Sequence, residues 1–199
     1  MKSKTQTTGM MKALIFALFA FISFNLFSQE IHSGVFVSPQ DYKENKLSYG
    51  NPCGKGNKIK FNEFLDKPYI TIKHQGAEVK LKKDSVFAIK DCNGVVHRFY
   101  KHHDSDYIIE ESKSITIYGK EFSVSTSKGF KIEIEYFFSA TLDGDMYPLT
   151  LENIKRQFTG NTQLIDAIDP IFPGGQGITA YDKSQKTFKV NLFLSKYIK

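Results

Sequence analysis

Two alternating apolar runs, SVFAIKDC and VVHRFYK, are separated only by Asn93-Gly94, and this constrains the fold more than any other stretch. Asn and Gly both tolerate positive φ, so the pair between such runs predicts a β-hairpin closed by a two-residue type I′ turn. A two-residue loop also fixes the register. It predicts Cys92 opposite Val95, Lys90 opposite His97 and Ala88 opposite Phe99 on one face. Asp91 with Val96, Ile89 with Arg98 and Phe87 with Tyr100 would lie on the other.

The same period of two runs through much of the chain. Tyr69, Thr71 and Lys73 alternate with Ile70, Ile72 and His74; Gln75-Gly76 turns the chain, and Val79 and Leu81 alternate with Glu78, Lys80 and Lys82. YIIEE and SITIY flank Ser112-Lys113, and FSVST and FKIEIEYFF flank Ser127-Lys128-Gly129. In the last run Phe130, Ile132, Ile134 and Tyr136 share one face, Lys131, Glu133 and Glu135 the other. That pattern predicts one buried and one wet face, as in an antiparallel sheet. Residues 29–37 read as a short strand. Ser38-Pro39 opens a short helix, since Ser caps and Pro suits the first helical position, and the turn-forming SYGNPCGKGN ends it.

After Asp143-Gly144 the period changes. Thr150 is expected to cap a helix carrying Leu151, Ile154 and Phe158, and Thr162 another carrying Leu164, Ile165 and Ile168 that stops near Pro170. Residues 173–177 form a glycine-rich loop. Residues 181–198 fit a helix through Tyr181, Phe188 and Leu192 and a strand through Phe188, Val190 and Leu192; helix is the reading adopted. Strands first and helices grouped at the end give the α+β class. The expected architecture is an antiparallel β-rich curved sheet or partial barrel with short C-terminal helices against its open side.

The start of the chain speaks to location. Lys2, Lys4 and Lys12 precede an apolar run, ALIFALFAFISF, and Ser28 stands just before Gln29 and Glu30. Basic start, short apolar centre and small residue form a secretory signal peptide, and the run is short for a membrane span. Residues 1–28 are therefore expected to be removed after Ser28, with an uncleaved anchor as the alternative. Residues 29–199 form one domain. The leader holds three Lys and no acid, so its loss takes the formal charge from +6 to about +3. That balance, with only Arg98 and Arg156 to offer guanidinium forks, excludes nucleic acid as the expected partner. Cys53 and Cys92 are an even pair in an exported chain, which predicts a disulfide; two separately buried thiols are the alternative.

His97, His102, His103, Asp104 and Asp106 are the residue types that hold metals. His102 and His103 are neighbours, however, and point to opposite faces of any strand, so a solvated hairpin tip is the reading preferred. Glu110, Glu111, Glu133 and Glu135 could supply paired carboxylates for glycoside hydrolysis, against which stands a solvated strand face. Gly174, Gly175 and Gly177 match neither a dinucleotide loop nor a Walker loop. No GxSxG elbow or local cysteine-protease signature occurs. The sequence thus assigns no catalytic residues, no cofactor and no metal site.

The leader ending FSQ, the GVF…S…DY…NK…SYG opening, the KKDSVFAIKDCNGVVHRFY hairpin, and the YPLTLENIK…F and YDK…KTFKVN segments resemble uncharacterised exported proteins of Bacteroidota. The resemblance implies export and a one-domain organisation, and no activity. The expected function is a non-enzymatic binding or interaction module of the periplasm or cell surface, with an envelope protein or glycan as partner. The alternative is a small exported hydrolase whose site assembles from scattered residues.

Overall fold

The computed structural model describes residues 32–53, 59–61, 67–100 and 106–198, and residues 31–199 form one compact unit. Residues 1–28, expected to be a leader, and His102, His103 and Asp104 lie outside the described residues. The chain is β-rich α+β with antiparallel sheets, and among the described residues no barrel closes.

The strands are β1 (His32–Phe36), β2 (Ser48–Pro52), β3 (Ile59–Lys60), β4 (Tyr69–His74), β5 (Ala77–Lys82), β6 (Ala88–Lys90), β7 (Val96–Phe99), β8 (Asp106–Ser112), β9 (Thr116–Thr126), β10 (Gly129–Ser139), β11 (Tyr147–Pro148), β12 (Tyr181–Asp182) and β13 (Thr187–Phe188). The helices are α1 (Pro39–Lys43), α2 (Leu151–Gln157), α3 (Thr162–Ile171) and α4 (Lys189–Leu194). The main sheet has the order β11-β10-β9-β8-β7-β6-β1-β2; β3-β4-β5 and β12-β13 make two smaller sheets.

Local chemistry sets the turns and caps. Ser38 caps α1 by accepting from the Asp41 N–H, while the Asp41 carboxylate accepts from the Ser38 N–H, a reciprocal capping box. Thr150 caps α2 as expected, but α3 is capped by Asn161, whose side chain accepts from Leu164 N–H, and not by Thr162. The Asx side chain reaches that amide from a non-helical backbone, leaving Thr162 free to be the first helical residue. Pro170 sits within the last turn of α3, which ends at Ile171.

The register predicted for the Asn93-Gly94 hairpin is off by one residue. Ala88 faces Arg98, Ile89 faces His97 and Lys90 faces Val96. The cause is Asp91. Its carboxylate accepts from the Asn93 and Val95 N–H groups at 2.8 Å each, and its own N–H donates to the Val95 carbonyl. Cys92, Asn93 and Gly94 then form a three-residue loop in which Gly94 alone has positive φ, 82°. It is Gln75-Gly76, with φ 49° and 83°, that supplies both positive values of the primed turn.

That one-residue shift decides which side chains meet the core. Val35, Ile89 and Phe99 pack with Val86 against Ile70 and Ile72 of the small β3-β4-β5 sheet. On the opposite face Phe36, Phe87 and Ala88 pack with Leu142. The largest cluster joins Ile115, Ile117 and Phe138 to Leu149, Ile154, Leu164, Ile168, Phe172 and the α4 residues Val190, Phe193 and Leu194. Fully burying one such side chain contributes about 1.5–3 kcal/mol. The helix expected over 181–198 is realised only in its second half: residues 181–188 form the β12-β13 hairpin, tied at its start by Asp182, which accepts from Ser184 and Gln185 N–H.

The two cysteines are joined, with Cα atoms 5.6 Å apart. β1 lies between β2 and β6; Cys53 directly follows β2, and Cys92 is the second residue after β6. The disulfide therefore staples β2 to the β6-β7 turn beside the beginning of β1.

Candidate functional site: the β9-β10 ribbon

β9 and β10 are paired over their full length, from Gly129 opposite Thr126 to Ser139 opposite Thr116. Their neighbours reach only part of that length. β8 pairs with β9 no further out than Gly119, and β11 pairs with β10 at Phe137 and Phe138. Residues 121–135 are all exposed, so the outer part of the hairpin is a two-stranded ribbon standing away from the body.

The expectation of one buried and one wet face fails at both ends of the hairpin: at the body Ile117 and Phe138 are buried on one face and Thr116, Tyr118 and Ser139 on the other, and in the ribbon both faces are exposed. Paired residues share a face, so Ile117/Phe138 and Gly119/Tyr136 continue into Glu121/Ile134, Ser123/Ile132 and Ser125/Phe130. The inner members pack on the C-terminal helices. Among the described residues no element covers the outer ones: Phe130 is 82 % exposed, Ile132 65 % and Ile134 47 %. The other ribbon face mixes Phe122 and Val124 with Lys120, Lys131, Glu133 and Glu135, and Lys131 Nζ lies 3.2 Å from Glu133 Oε1. Scattered exposed apolar residues are ordinary, but a row of three on one strand is a candidate contact surface.

The other sequence candidates are placed elsewhere. His97 Nε2 lies 3.6 Å from Asp91 Oδ2, and its ring packs on Phe61 with centroids 4.9 Å apart. Asp106 opens β8 opposite Phe99. Among the described residues, no group of three His, Cys, Asp or Glu side chains is placed to hold a metal ion. Glu133 and Glu135 lie on the ribbon, with Glu135 opposite Lys120.

Glu110 and Glu111 are separated in role by a β-bulge. The β8-β9 register shifts between Ile109 and Glu111, which sets Glu111 opposite Ile117 and hence on the face of the C-terminal helices. Its carboxylate accepts from Thr187 Oγ1 at 2.5 Å, Phe188 N at 3.1 Å and Asn191 Nδ2 at 2.7 Å, with Lys113 Nζ 2.8 Å away. Asn191 goes on to accept from Ile115 N–H and donate to the Ile115 carbonyl. Burial pushes the Glu111 carboxyl up, but the bonds from Lys113, Thr187, Asn191 and Phe188 outweigh it and hold it below the usual carboxylate range. Glu110 instead sits against Gly119, and desolvation, then the charge of Glu121, hold its carboxyl above that range.

A second buried polar centre escaped the sequence reading. Arg98, 6 % exposed, packs its guanidinium against the rings of Phe87, Tyr100 and Tyr118 at 5.0, 5.7 and 5.3 Å. It donates to the Tyr118 hydroxyl, which lies 2.9 Å from Ser139 Oγ. No spacing rule links Arg98 to these residues; the off-by-one hairpin register is what places it opposite Ala88, on the face of Phe87, and not on the face of Ile89.

No family model, curated protein or solved structure matches this chain. The glycine-rich loop contributes Gly174 and Gly175 to a shallow cavity of about 620 Å³ with Leu149, Leu151, Lys155 and Ile178. A second hollow, about 710 Å³, is lined by Ser38, Lys43, Lys113, Thr116 and Asp143. Among the described residues no helix is long and apolar enough to cross a membrane.

Proposed function

We propose that this chain is an exported, non-enzymatic binding module of the periplasm or cell surface whose contact surface is the β9-β10 ribbon. In this reading the eight-stranded sheet is a curved platform backed by the C-terminal helices, and the ribbon is the part presented to an envelope protein. The observation that carries the reading is the row Phe130, Ile132 and Ile134, which prolongs the core-facing side of β10 into solvent. Such a row stabilises nothing in the monomer, and transfer of these side chains out of water would drive association. A glycan partner suits the row less well than a protein does, because stacking platforms for sugars use flat aromatic rings in company with polar groups. Export is supported by the leader pattern, by the paired cysteines and by the resemblance to exported proteins of Bacteroidota.

The test uses residues 31–199 and the envelope fraction of the cell that makes the protein. Co-sedimentation is expected for the unaltered chain and is expected to be lost when Phe130, Ile132 and Ile134 are all replaced by Ser. Undiminished retention of that variant would refute the ribbon as the contact surface. A hydrolase screen with and without zinc or calcium addresses the catalytic alternative; turnover abolished by His97→Ala would overturn the non-enzymatic reading.

A further inference from the structure

We propose that the free edge of β10 pairs with the same edge of a second copy of this chain, in one register, with Ile132 opposite Ile132. The inference rests on the reading of the ribbon as a contact surface and names its first partner.

Backbone phase comes first. Gly129 and Thr126 flank a two-residue turn, so they form a hydrogen-bonded pair and every second pair along the ribbon does likewise. Lys131, Glu133 and Glu135 thus bond inward to β9, and the main-chain groups of Phe130, Ile132 and Ile134 point outward. The same phase is visible at the body, where the Tyr136 carbonyl points away from β9 and accepts from Leu149 N–H at 2.8 Å. The outer edge of β10 thus presents a row of strand-pairing groups beside the apolar row. Exposed edges of this kind are templates for another strand.

Charge then selects the partner strand. In an antiparallel pair, outward residues must face outward residues, so permitted registers differ in steps of two. With Ile132 opposite Ile132, Phe130 meets Ile134 on one face. On the other face Lys131 meets Glu133, and by the two-fold symmetry it does so twice. A step one way sets Lys131 opposite Lys131. A step the other way sets Glu133 opposite Glu133, with Lys131 then meeting Glu135. A further step that way sets Glu133 opposite Glu135. Only the first register has charge pairs and no like-charge pair. The outer edge of β9 offers no such selection, because Lys120 and Glu121 lie on opposite faces and no antiparallel register brings them together.

The geometry accommodates two bodies. The strands run in opposite directions, so each body lies beyond the other copy's ribbon tip. Pairing over residues 130–134 forms about six main-chain hydrogen bonds along roughly 24 Å of edge for residues 129–135. That is below the size of a permanent interface, so the dimer is expected to be concentration-dependent. It joins two narrow apolar rows into one platform made of Phe130, Ile132 and Ile134 from each copy.

The test is sedimentation equilibrium of residues 31–199 over a wide concentration range. A monomer–dimer equilibrium is expected. Lys131→Glu and Glu133→Lys each convert two attractive pairs into two repulsive ones and are expected to weaken the dimer by roughly 10- to 30-fold. An equimolar mixture of those two variants restores both pairs and is expected to dimerise. The double exchange K131E/E133K is expected to return to the wild-type constant, which the register with Glu133 opposite Glu133 does not allow; in the register with Lys131 opposite Lys131 the single exchanges would change nothing. These positions are exposed, so the variants fold. A monomer at every concentration, or a dimer indifferent to the exchanges, overturns the proposal. A monomer whose envelope retention still needs the apolar row overturns self-pairing alone; a charge-dependent dimer whose retention ignores that row supports self-pairing and overturns the contact-surface reading.

Discussion

Replacing Glu111 by Ala removes the acceptor for three donors in the part of the chain that closes the main core. The Thr187 hydroxyl and the Asn191 amide belong to residues 2 % and 1 % exposed, and the Phe188 N–H to one 3 % exposed. Each buried donor left unsatisfied costs about 1–3 kcal/mol. Asn191 keeps its bonds to Ile115, and the cavity admits some relaxation, so the total expected is about 3–5 kcal/mol. For a domain of this size that lowers Tm by roughly 6–20 °C. Urea denaturation of Glu111→Ala beside the parent protein measures it. The charge enters separately through Glu111→Gln. The folded carboxyl titrates below its unfolded value, so ionised Glu111 stabilises the fold fully above the ordinary glutamate pKa of about 4.3. That contribution is lost as pH falls through the folded value. The parent should therefore exceed Glu111→Gln in stability near neutral pH, with the gap closing under acid conditions. A loss below about 1 kcal/mol for Glu111→Ala, or a gap to Glu111→Gln that widens in acid, would refute the clamp.

Reduction of the Cys53–Cys92 bond opens a loop with a sequence separation of 39; the chain-entropy relation gives about 4 kcal/mol, so thermal scans with and without reductant should differ by well over 5 °C, and equal scans would refute a stabilising role. Arg98→Leu removes a guanidinium packed by three rings and leaves the buried Tyr118 hydroxyl with only Ser139; a loss of about 2–4 kcal/mol is expected in urea denaturation, and a stable variant would show the cage to be dispensable. Asp91→Ala deprives the Asn93 and Val95 N–H groups of their acceptor, costs about 1–2 kcal/mol, and should speed amide hydrogen exchange at Val95 above all. Ile132→Ser in the ribbon should change stability by less than about 0.5 kcal/mol, whereas Ile117→Ala on the same face but fully buried should cost about 2–5 kcal/mol; similar losses at both would mean that the ribbon is packed.

The residues themselves carry the antiparallel hairpins, the capping of α1 and α2, and the joining of Cys53 to Cys92. Each follows from local physics: a period of two, a Ser with Pro and Asp after it, and an even pair of cysteines in a chain whose first residues have the pattern of an export leader. Short-range rules reached their limit where a side chain competes with the backbone. Asp91 captured the amides of its own turn and moved the hairpin by one residue, and that single step set Arg98 on the face of Phe87 and Ala88, and Phe99 on the face of Ile89 and the β3-β4-β5 sheet. The bulge at Glu110 likewise aimed Glu111 at the C-terminal segment, where regular alternation would have set it on the face of Ile109 and Tyr118. The ribbon shows the difference most plainly. Phe130, Ile132 and Ile134 have the same alternation as the buried Phe138, and alternation records which face a side chain takes. It does not record whether another element covers that face, because cover comes from residues distant in the chain: α2, α3 and α4 reach Phe138 and Tyr136 and extend no further.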